Sequence, residues 1–106
     1  MKEKREEYGP VGTSIVFEND LVRVWEVLLE PGEKQELHQH ELPYVIVAIE
    51  PGNNRITNVE GETRDTEERP GHIVYQDPGQ IHELHNVGTT RYRNRLIEIK
   101  QPGREQ

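Results

Sequence analysis

The sequence predicts an all-β protein whose strands form a sandwich or a closed barrel. Short runs rich in β-branched and aromatic residues alternate with turn residues, including the pairs Pro31-Gly32 and Pro70-Gly71. No stretch combines helical periodicity with an apolar face that could dock on a core. There is also no internal repeat, so the pattern indicates one domain made of many short strands.

Four strands are predicted in the first half of the chain. They cover residues 13–17, residues 21–30, a segment that contains His38 and His40, and residues 44–49. The second strand places Trp25, Val27 and Leu29 on one apolar face, because alternate residues of a strand point to the same side. Residues 44–49 are apolar on both faces, which is typical of a strand buried on both sides.

The second half begins with Pro-Gly-Asn-Asn at residues 51–54, which predicts a hairpin turn. The polar residues 55–69 then predict exposed strands joined by a tight turn at Glu60-Gly61. The remaining predicted strands are residues 72–75, 81–87 and 91–100. This count favours a closed architecture, in which distant parts of the chain face one interior.

Composition limits the size of the core and the kinds of partner. Of the 106 residues, 31% are hydrophobic and 31% are charged, whereas about 25% charged residues is usual. A thin core with apolar strands predicts that some strand surface is buried in a homodimer. The net charge of −7 with dispersed acids argues against a nucleic-acid partner, since phosphate binding needs a basic patch.

Several other classes are excluded by residue usage. The chain has no cysteine, so disulfides and thiolate metal sites are ruled out. No run approaches the roughly 18 apolar residues of a membrane span, and the charged first residues do not resemble a signal peptide. We therefore expect a cytoplasmic protein with a small-molecule ligand and no membrane partner.

The segment from Gly32 to Tyr44 contains the strongest functional signal, the pair His38 and His40. Residues i and i+2 of a strand project side by side, with backbones about 6 to 7 Å apart. Two such imidazoles can converge on one metal ion but cannot complete a site. The best candidate for a third ligand is His82, which a closed sheet would bring to the same place.

At these residues the chain resembles the cupins, over residues 21–100. Gly32, five residues and His38-Gln39-His40 match the start of the first cupin motif. Gly71, five residues, Asp77-Pro78-Gly79, two residues, His82, three residues and Asn86 match the second, with Asp77 where the family has proline. The resemblance implies a double-stranded β-helix, the cupin jelly-roll barrel. It would occupy residues 11–100, between a loosely attached arm at 1–10 and a polar tail at 101–106.

Tyr44 stands where the family has its metal-binding glutamate. Small cupins assigned to β-alanine catabolism are similar in this segment. Tyr44 could fill the barrel, orient or protonate a substrate beside the metal, or bind a strongly acidic ion such as ferric iron. Because its unperturbed pKa is near 10, we favour a catalytic role next to the metal over ligation.

The resemblance also implies the chemistry. We expect a divalent transition metal on His38, His40 and His82, with iron first and zinc, nickel, copper or manganese as alternatives. Three neutral ligands leave the ion's charge uncompensated, which favours a small anionic substrate. The expected function is a dioxygenase-type oxidoreductase acting on a small organic acid. The alternatives are a metal-assisted lyase or isomerase, and a binding or sensing cupin without catalysis.

Further polar residues are candidates for the site. Gln76, Asn86 and Arg95 are candidate substrate-binding residues. Glu36 shares strand parity with His38 and His40 and is a candidate fourth ligand. His85 lies three residues from His82, so we expect it on the opposite face of that strand, and we expect a structural role for His72.

Overall fold

The structure is a computed structural model that describes residues 8–100, and this range folds into nine β-strands. The strands are β1 Ser14–Glu18, β2 Val22–Leu29, β3 Lys34–Gln39, β4 Tyr44–Glu50, β5 Gly52–Asn58, β6 Thr63–Glu68, β7 Ile73–Gln76, β8 Ile81–Asn86 and β9 Tyr92–Ile99. The all-β prediction is confirmed. The described part of the chain contains no helix long and apolar enough to cross a membrane.

The strands form two antiparallel sheets that enclose one interior. The five-stranded sheet has the order β1-β2-β9-β4-β7, and the four-stranded sheet has the order β3-β8-β5-β6. Strands distant in sequence are neighbours, since β2 pairs with β9 and β3 pairs with β8. This crossing of the chain between sheets is a jelly roll, and it brings the ends of β3 and β8 together.

The hairpin predicted at residues 51–54 is wrong. β4 ends at Glu50 and β5 begins at Gly52, so Pro51 marks the point where the chain passes from one sheet to the other. β5 pairs with β6 and β8 instead of β4, and Asn54 is buried inside the barrel. The turn predicted at Glu60-Gly61 is confirmed, with Gly61 at a φ of 89° between β5 and β6.

The arm expected at residues 1–10 falls partly outside the described residues. Within them, the backbone N–H of Gly9 donates to the carbonyl of Leu37 at 2.9 Å. The side chain of Gln35 donates to the carbonyl of Pro10 at 3.1 Å, and Val11 is buried in the core. Residues 8–10 are therefore attached to β3. The tail expected at 101–106 lies outside the described residues.

The interior is half polar, as the thin apolar composition requires. The buried hydrophobic residues are Val11, Val27, Leu29, Tyr44, Ala48, Tyr92 and Leu96, and the buried polar ones are His38, His40, Asn54, Asn86, Asn94 and Glu98. The prediction that Trp25, Val27 and Leu29 share an inward face is confirmed, because all three belong to the core or pack against it.

The outer face of the five-stranded sheet contains an apolar row and is uncovered in the described chain. The prediction that β4 is buried on both sides is wrong, since no layer lies outside this sheet. Cross-strand register instead aligns one row of apolar residues over all five strands: Phe17, Val24, Ile97, Val45 and Tyr75. The two ends of the row are the most open, with Phe17 53% and Tyr75 56% exposed.

The contact of Gly52 with Tyr92 gives a stability prediction. A Cβ at position 52 would overlap the Tyr92 ring, so Gly52→Ala must displace a buried aromatic side chain. We expect a loss of about 1 to 3 kcal/mol in unfolding free energy, the usual cost of overpacking. Urea denaturation measures it, with the exposed neighbour substitution Asn53→Ala as the control. Equal stability of both variants would contradict the close packing of β5 on β9.

The homodimer expected from the sequence stays a prediction, and the outer apolar row is the surface on which we expect it. Light scattering should give a dimer mass for the unchanged chain and a monomer mass for Phe17→Lys/Tyr75→Lys. The control is Val59→Lys, which adds one lysine, half the charge of the double variant, at a residue 51% exposed beyond the end of β5 in the other sheet. A monomer mass for the unchanged chain would end this expectation.

Candidate metal centre

The three candidate histidines come from the ends of β3 and β8. His38 and His82 are direct cross-strand neighbours in the pairing of these strands. His40 follows the end of β3, where its backbone N–H donates to the Gln80 carbonyl at 2.8 Å and its carbonyl accepts from Gly79 at 2.7 Å. The backbone thus fixes all three Cα positions before any metal binds.

The three imidazole rings form a nearly equilateral triangle. Ring centroids lie 4.8 Å apart for His38 and His40, 4.9 Å for His38 and His82, and 5.0 Å for His40 and His82. The potential ligand atoms all lie within 4.8 Å of one another. His38 and His40 are 2% and 1% exposed, whereas His82 is partly exposed and also borders the cleft outside.

Burial keeps these rings neutral, which is the form that binds a metal. It lowers the pKa of His40 to about 2, with the neighbouring His38 and His82 adding to the effect. It also lowers the pKa of His82 to about 4. For His38, burial lowers the pKa although the hydrogen bond to the Glu36 carbonyl opposes the shift.

Hydrogen bonds decide which ring nitrogens are available. Nδ1 of His38 lies 2.8 Å from the carbonyl oxygen of Glu36; a carbonyl only accepts, so Nδ1 carries the proton and Nε2 keeps a free lone pair. Nδ1 of His40 is buried with no hydrogen-bond partner among the described residues. A buried nitrogen without a partner is costly in an apo-protein, and a metal ion would satisfy it.

Tyr44 lies against the cluster. Its ring stacks on His40 with centroids 3.9 Å apart and an angle of 18° between the planes. Its hydroxyl donates to Oε1 of Gln80 at 2.7 Å, and Nε2 of Gln80 donates to Oε1 of Gln76 at 2.8 Å. Burial raises the pKa of Tyr44, while the charge of Arg64 opposes that shift, so the phenol is neutral. Tyr44 thus contacts His40, a candidate metal ligand, and its hydroxyl proton is directed at Oε1 of Gln80.

A cavity connects the histidines to the surface. Its volume is about 100 Å³, and His38, His40, His82, Tyr44 and Gln76 are among its lining residues. A wider cleft of about 580 Å³ adjoins it along the turn between β5 and β6. His82, Gln80, Ile56 and Arg64 border both spaces. A ligand can therefore reach the open side of the triangle from solvent.

Two of the three candidate substrate-binding residues lie elsewhere. The Asn86 side chain is 0% exposed; its Nδ2 donates to the carbonyls of Leu29 and Thr90, and its Oδ1 accepts from the Gly88 N–H. It ties β8 to the end of β2 and has no free polar atom for a ligand. Arg95 points outward, 3.6 Å from Glu26, because the inward positions of β9 are its neighbours Asn94 and Leu96.

Glu36 is not a fourth ligand, because it is exposed on the other side of β3. The pairing of β3 with β8 is irregular between Gln35 and His38. This bulge reverses the parity, so Gln35 lines the cavity and Glu36 does not. Gln76 does line the cavity, and its role in substrate binding stays a prediction.

The other histidines remain apart from the cluster. His85 lies in register with Lys34 and Arg55 on the opposite face of β8 from His82, as its parity predicts. Nδ1 of His72 lies 3.2 Å from Oε1 of Glu68 near the start of β7.

Sequence reasoning missed two residues at the site, Gln80 and Arg64. Gln80 stands two positions before His82, so strand parity alone could have placed it on the same face. Arg64 had no such signal, because the polar segment 55–69 gives no apolar alternation from which to read an inward side. Its position becomes visible only when β6 pairs with β5.

Fold and site together define a cupin-fold protein with a candidate divalent-metal centre of three histidines. Solved structures with the double-stranded β-helix support this description. A cupin domain from Bordetella pertussis is similar at 25% identity, with a TM-score of 0.75 over 88% of this chain and 100% of that one. An RmlC-like cupin from Methanocaldococcus jannaschii has 18% identity and a TM-score of 0.70 over 84% and 79% of the two chains.

A protein with a named activity is also among the similar structures. The polyketide cyclase RemF from Streptomyces resistomycificus is similar at 19% identity, with a TM-score of 0.61 over 78% of this chain and 57% of that one. No protein-family profile and no curated protein sequence matches the chain. The predicted double-stranded β-helix is confirmed.

The residues present fit a first-row transition metal. Imidazole nitrogen suits iron, nickel, copper and zinc, and the cluster found in residues 8–100 contains no carboxylate. Three protein ligands leave room for water or a substrate, as in catalytic sites, whereas structural zinc sites have four.

Replacement of the ligands tests this centre. We expect one divalent ion per chain in the unchanged protein and none in His38→Ala/His40→Ala, because one remaining imidazole cannot hold an ion alone. Elemental analysis after dialysis measures the stoichiometry, and circular dichroism checks that the β fold persists. His72→Ala and His85→Ala serve as matched controls that should keep full occupancy. Full occupancy in the double variant would place the metal elsewhere.

Proposed function

We propose that this protein is a metal-dependent enzyme acting on a small organic acid, with dioxygenation as the first reaction class to test. The observation that carries the proposal is the set of three neutral imidazoles whose open side faces a cavity. A structural metal would be expected in a closed site. Here a cavity lined by His82, Gln80 and Gln76 leads from the candidate metal position to the surface.

A divalent ion held by His38, His40 and His82 would supply Lewis acidity, and iron would add the capacity to react with O2. The chain's own residues have separable tasks. The His38 ring is buried and held by the Glu36 carbonyl, and the backbone on both sides of the buried His40 is held by Gly79 and Gln80, so we expect their geometry to change little when a ligand enters. Tyr44 supports the His40 ring by stacking, and its neutral hydroxyl keeps a proton at the Gln80 oxygen.

Charge supports an anionic substrate. Three neutral ligands cancel none of the ion's positive charge, whereas a carboxylate ligand would cancel one unit of it. Tyr44 provides a neutral phenol at the position where the cupins that this chain resembles have a metal-binding glutamate. A carboxylate substrate would then provide the missing negative charge, in a cavity of low dielectric where that attraction is strong.

A second candidate is metal-assisted lyase or isomerase chemistry without O2. The structural similarity to a polyketide cyclase favours keeping it, because that protein shows the fold with a chemistry of another kind. A binding or sensing cupin is the third. It differs from both because the protein would bind the acid and release it without chemical conversion.

One experiment separates these candidates. The protein is loaded anaerobically with Fe(II), Zn(II) or Ni(II) and mixed with a panel of small organic acids, and both O2 consumption and product formation are followed. O2 uptake in the presence of an acid by the Fe(II) protein, but not by the Zn(II) or Ni(II) protein, supports the dioxygenase. Product without O2 uptake supports the second candidate, and binding without turnover across the panel supports the third.

Tyr44→Phe tests whether the Tyr44 hydroxyl takes part in the reaction. The ring and its stack on His40 remain, so metal stoichiometry and melting temperature should change little. Turnover should fall by roughly 10²- to 10⁴-fold if the hydroxyl acts in proton transfer. Tyr92→Phe removes another buried hydroxyl, one bound to Asn94, and controls for the general effect of such a loss. Unchanged turnover in Tyr44→Phe would assign the residue to packing alone.

A further inference from the structure

Among residues 8–100, Arg64 is the one cationic residue that lines both the histidine cavity and the cleft outside it. On β6 the inward positions alternate, so Arg64, Thr66 and Glu68 all line the cavity. Arg64 is the outermost of the three, and it also borders the cleft together with His82. Arg64 therefore lies at the opening through which a ligand would reach the metal position.

Arg64 differs from most arginines of the protein in having no ionic partner within residues 8–100. Five others form ion pairs with carboxylates: Arg23, Arg55, Arg91, Arg93 and Arg95. Arg69 also lacks such a pair, but it follows the end of β6 and lines neither the cavity nor the cleft. In a chain with a net charge of −7, an arginine without a carboxylate partner at a cavity mouth is available for an anionic ligand.

Arg64 lines the same cavity as the candidate metal ligands. His38, His40, His82 and Tyr44 border this space together with it, and His82 also borders the cleft beside it. The Arg64 side chain is exposed at the opening, so solvent and ligands can reach it. A molecule that enters from the cleft toward the metal position therefore passes Arg64.

We propose that Arg64 binds a second anionic group of the substrate, so that the ligand is a small dicarboxylate or a comparable dianion. One carboxylate would lie at the metal on His38, His40 and His82, and the other would accept hydrogen bonds from the Arg64 guanidinium. This inference rests on the proposed function. It narrows the substrate class from organic acids to acids with two separated negative groups.

The charge of the cleft and the size of the inner cavity limit which anions can bind at Arg64. Glu60 and Glu62 border the cleft but not the inner cavity, and Glu62 accepts a hydrogen bond from Asn58 at 3.0 Å. Their negative charges disfavour an anion on the outer side, so a second carboxylate is favoured between Arg64 and His82. The inner cavity of about 100 Å³ is small compared with typical ligand sites of about 300 to 1,000 Å³. A short dianion is therefore favoured over a bulky one.

Succinate and butyrate test the proposal, because they share a four-carbon chain and differ in the second carboxylate. The protein is loaded with Co(II), whose visible absorption reports a carboxylate arriving at the metal, and calorimetry gives the affinities. We expect succinate to bind the unchanged protein more tightly than butyrate. Arg64→Met should lower the affinity for succinate by about 10- to 100-fold, the usual range for a charged hydrogen bond. It should change the affinity for butyrate by less than about threefold.

Arg55→Met is the matched control. It removes the same charge from the neighbouring strand, but Arg55 pairs with Asp65 and does not line the cavity. It should leave both affinities unchanged, which separates direct contact from long-range attraction. Arg64→Lys should recover part of the succinate affinity, because an ammonium keeps the charge but lacks the guanidinium's fork of donors.

The proposal and the function on which it rests fail in different ways. If Co(II) binds and both acids reach it, but Arg64→Met keeps its succinate affinity within twofold of the unchanged protein, Arg64 does not bind the ligand. Equal weakening of succinate and butyrate would also overturn the proposal. If Co(II) does not bind to the unchanged protein, the proposed metal enzyme itself is wrong, and the two-point binding falls with it.

Discussion

The site depends on holding three neutral imidazoles together in a volume that excludes most water. Burial makes protonation of these rings unfavourable, so each keeps a lone pair at neutral pH. Buried ring nitrogens need hydrogen-bond partners. Nδ1 of His38 has one in the Glu36 carbonyl, whereas the His40 ring is held by stacking on Tyr44. Nδ1 of His40 has no partner among the described residues, so the fold alone leaves its hydrogen-bonding capacity unsatisfied.

Hydrogen bonds compensate for the small hydrophobic core of this barrel. Asn86 fastens the end of β2 and the loop before β9 with three hydrogen bonds. Glu98 accepts from Nε of Arg23 at 2.7 Å and from Nε1 of Trp25 at 2.8 Å, which places a buried carboxylate where its charge is compensated. These contacts join neighbouring strands on the inside, so the barrel can hold a polar site without losing its shape.

The distribution of charge reconciles an acidic protein with an anionic ligand. Most described arginines are neutralised on the outside of the sheets, as with Arg55 and Asp65 or Arg91 and Glu50. Overall repulsion by a net charge of −7 is screened by salt over about 8 to 10 Å. Inside the cavity, screening is weaker and the charge of a bound ion would act strongly, while the exposed Arg64 adds positive charge at the opening.

The sequence alone determined the all-β class, most of the strands and the pair His38 and His40, because alternation and turn residues act locally. Motif spacing extended this to His82. Tertiary structure decided which side chains point into the barrel, which local sequence patterns cannot specify. A bulge in β3 turned Glu36 outward, and strand parity in β9 turned Arg95 outward. Pairing of β6 with β5 directed Arg64 inward. Each of these orientations depends on the register between strands distant in sequence, and register is set by the closed barrel as a whole.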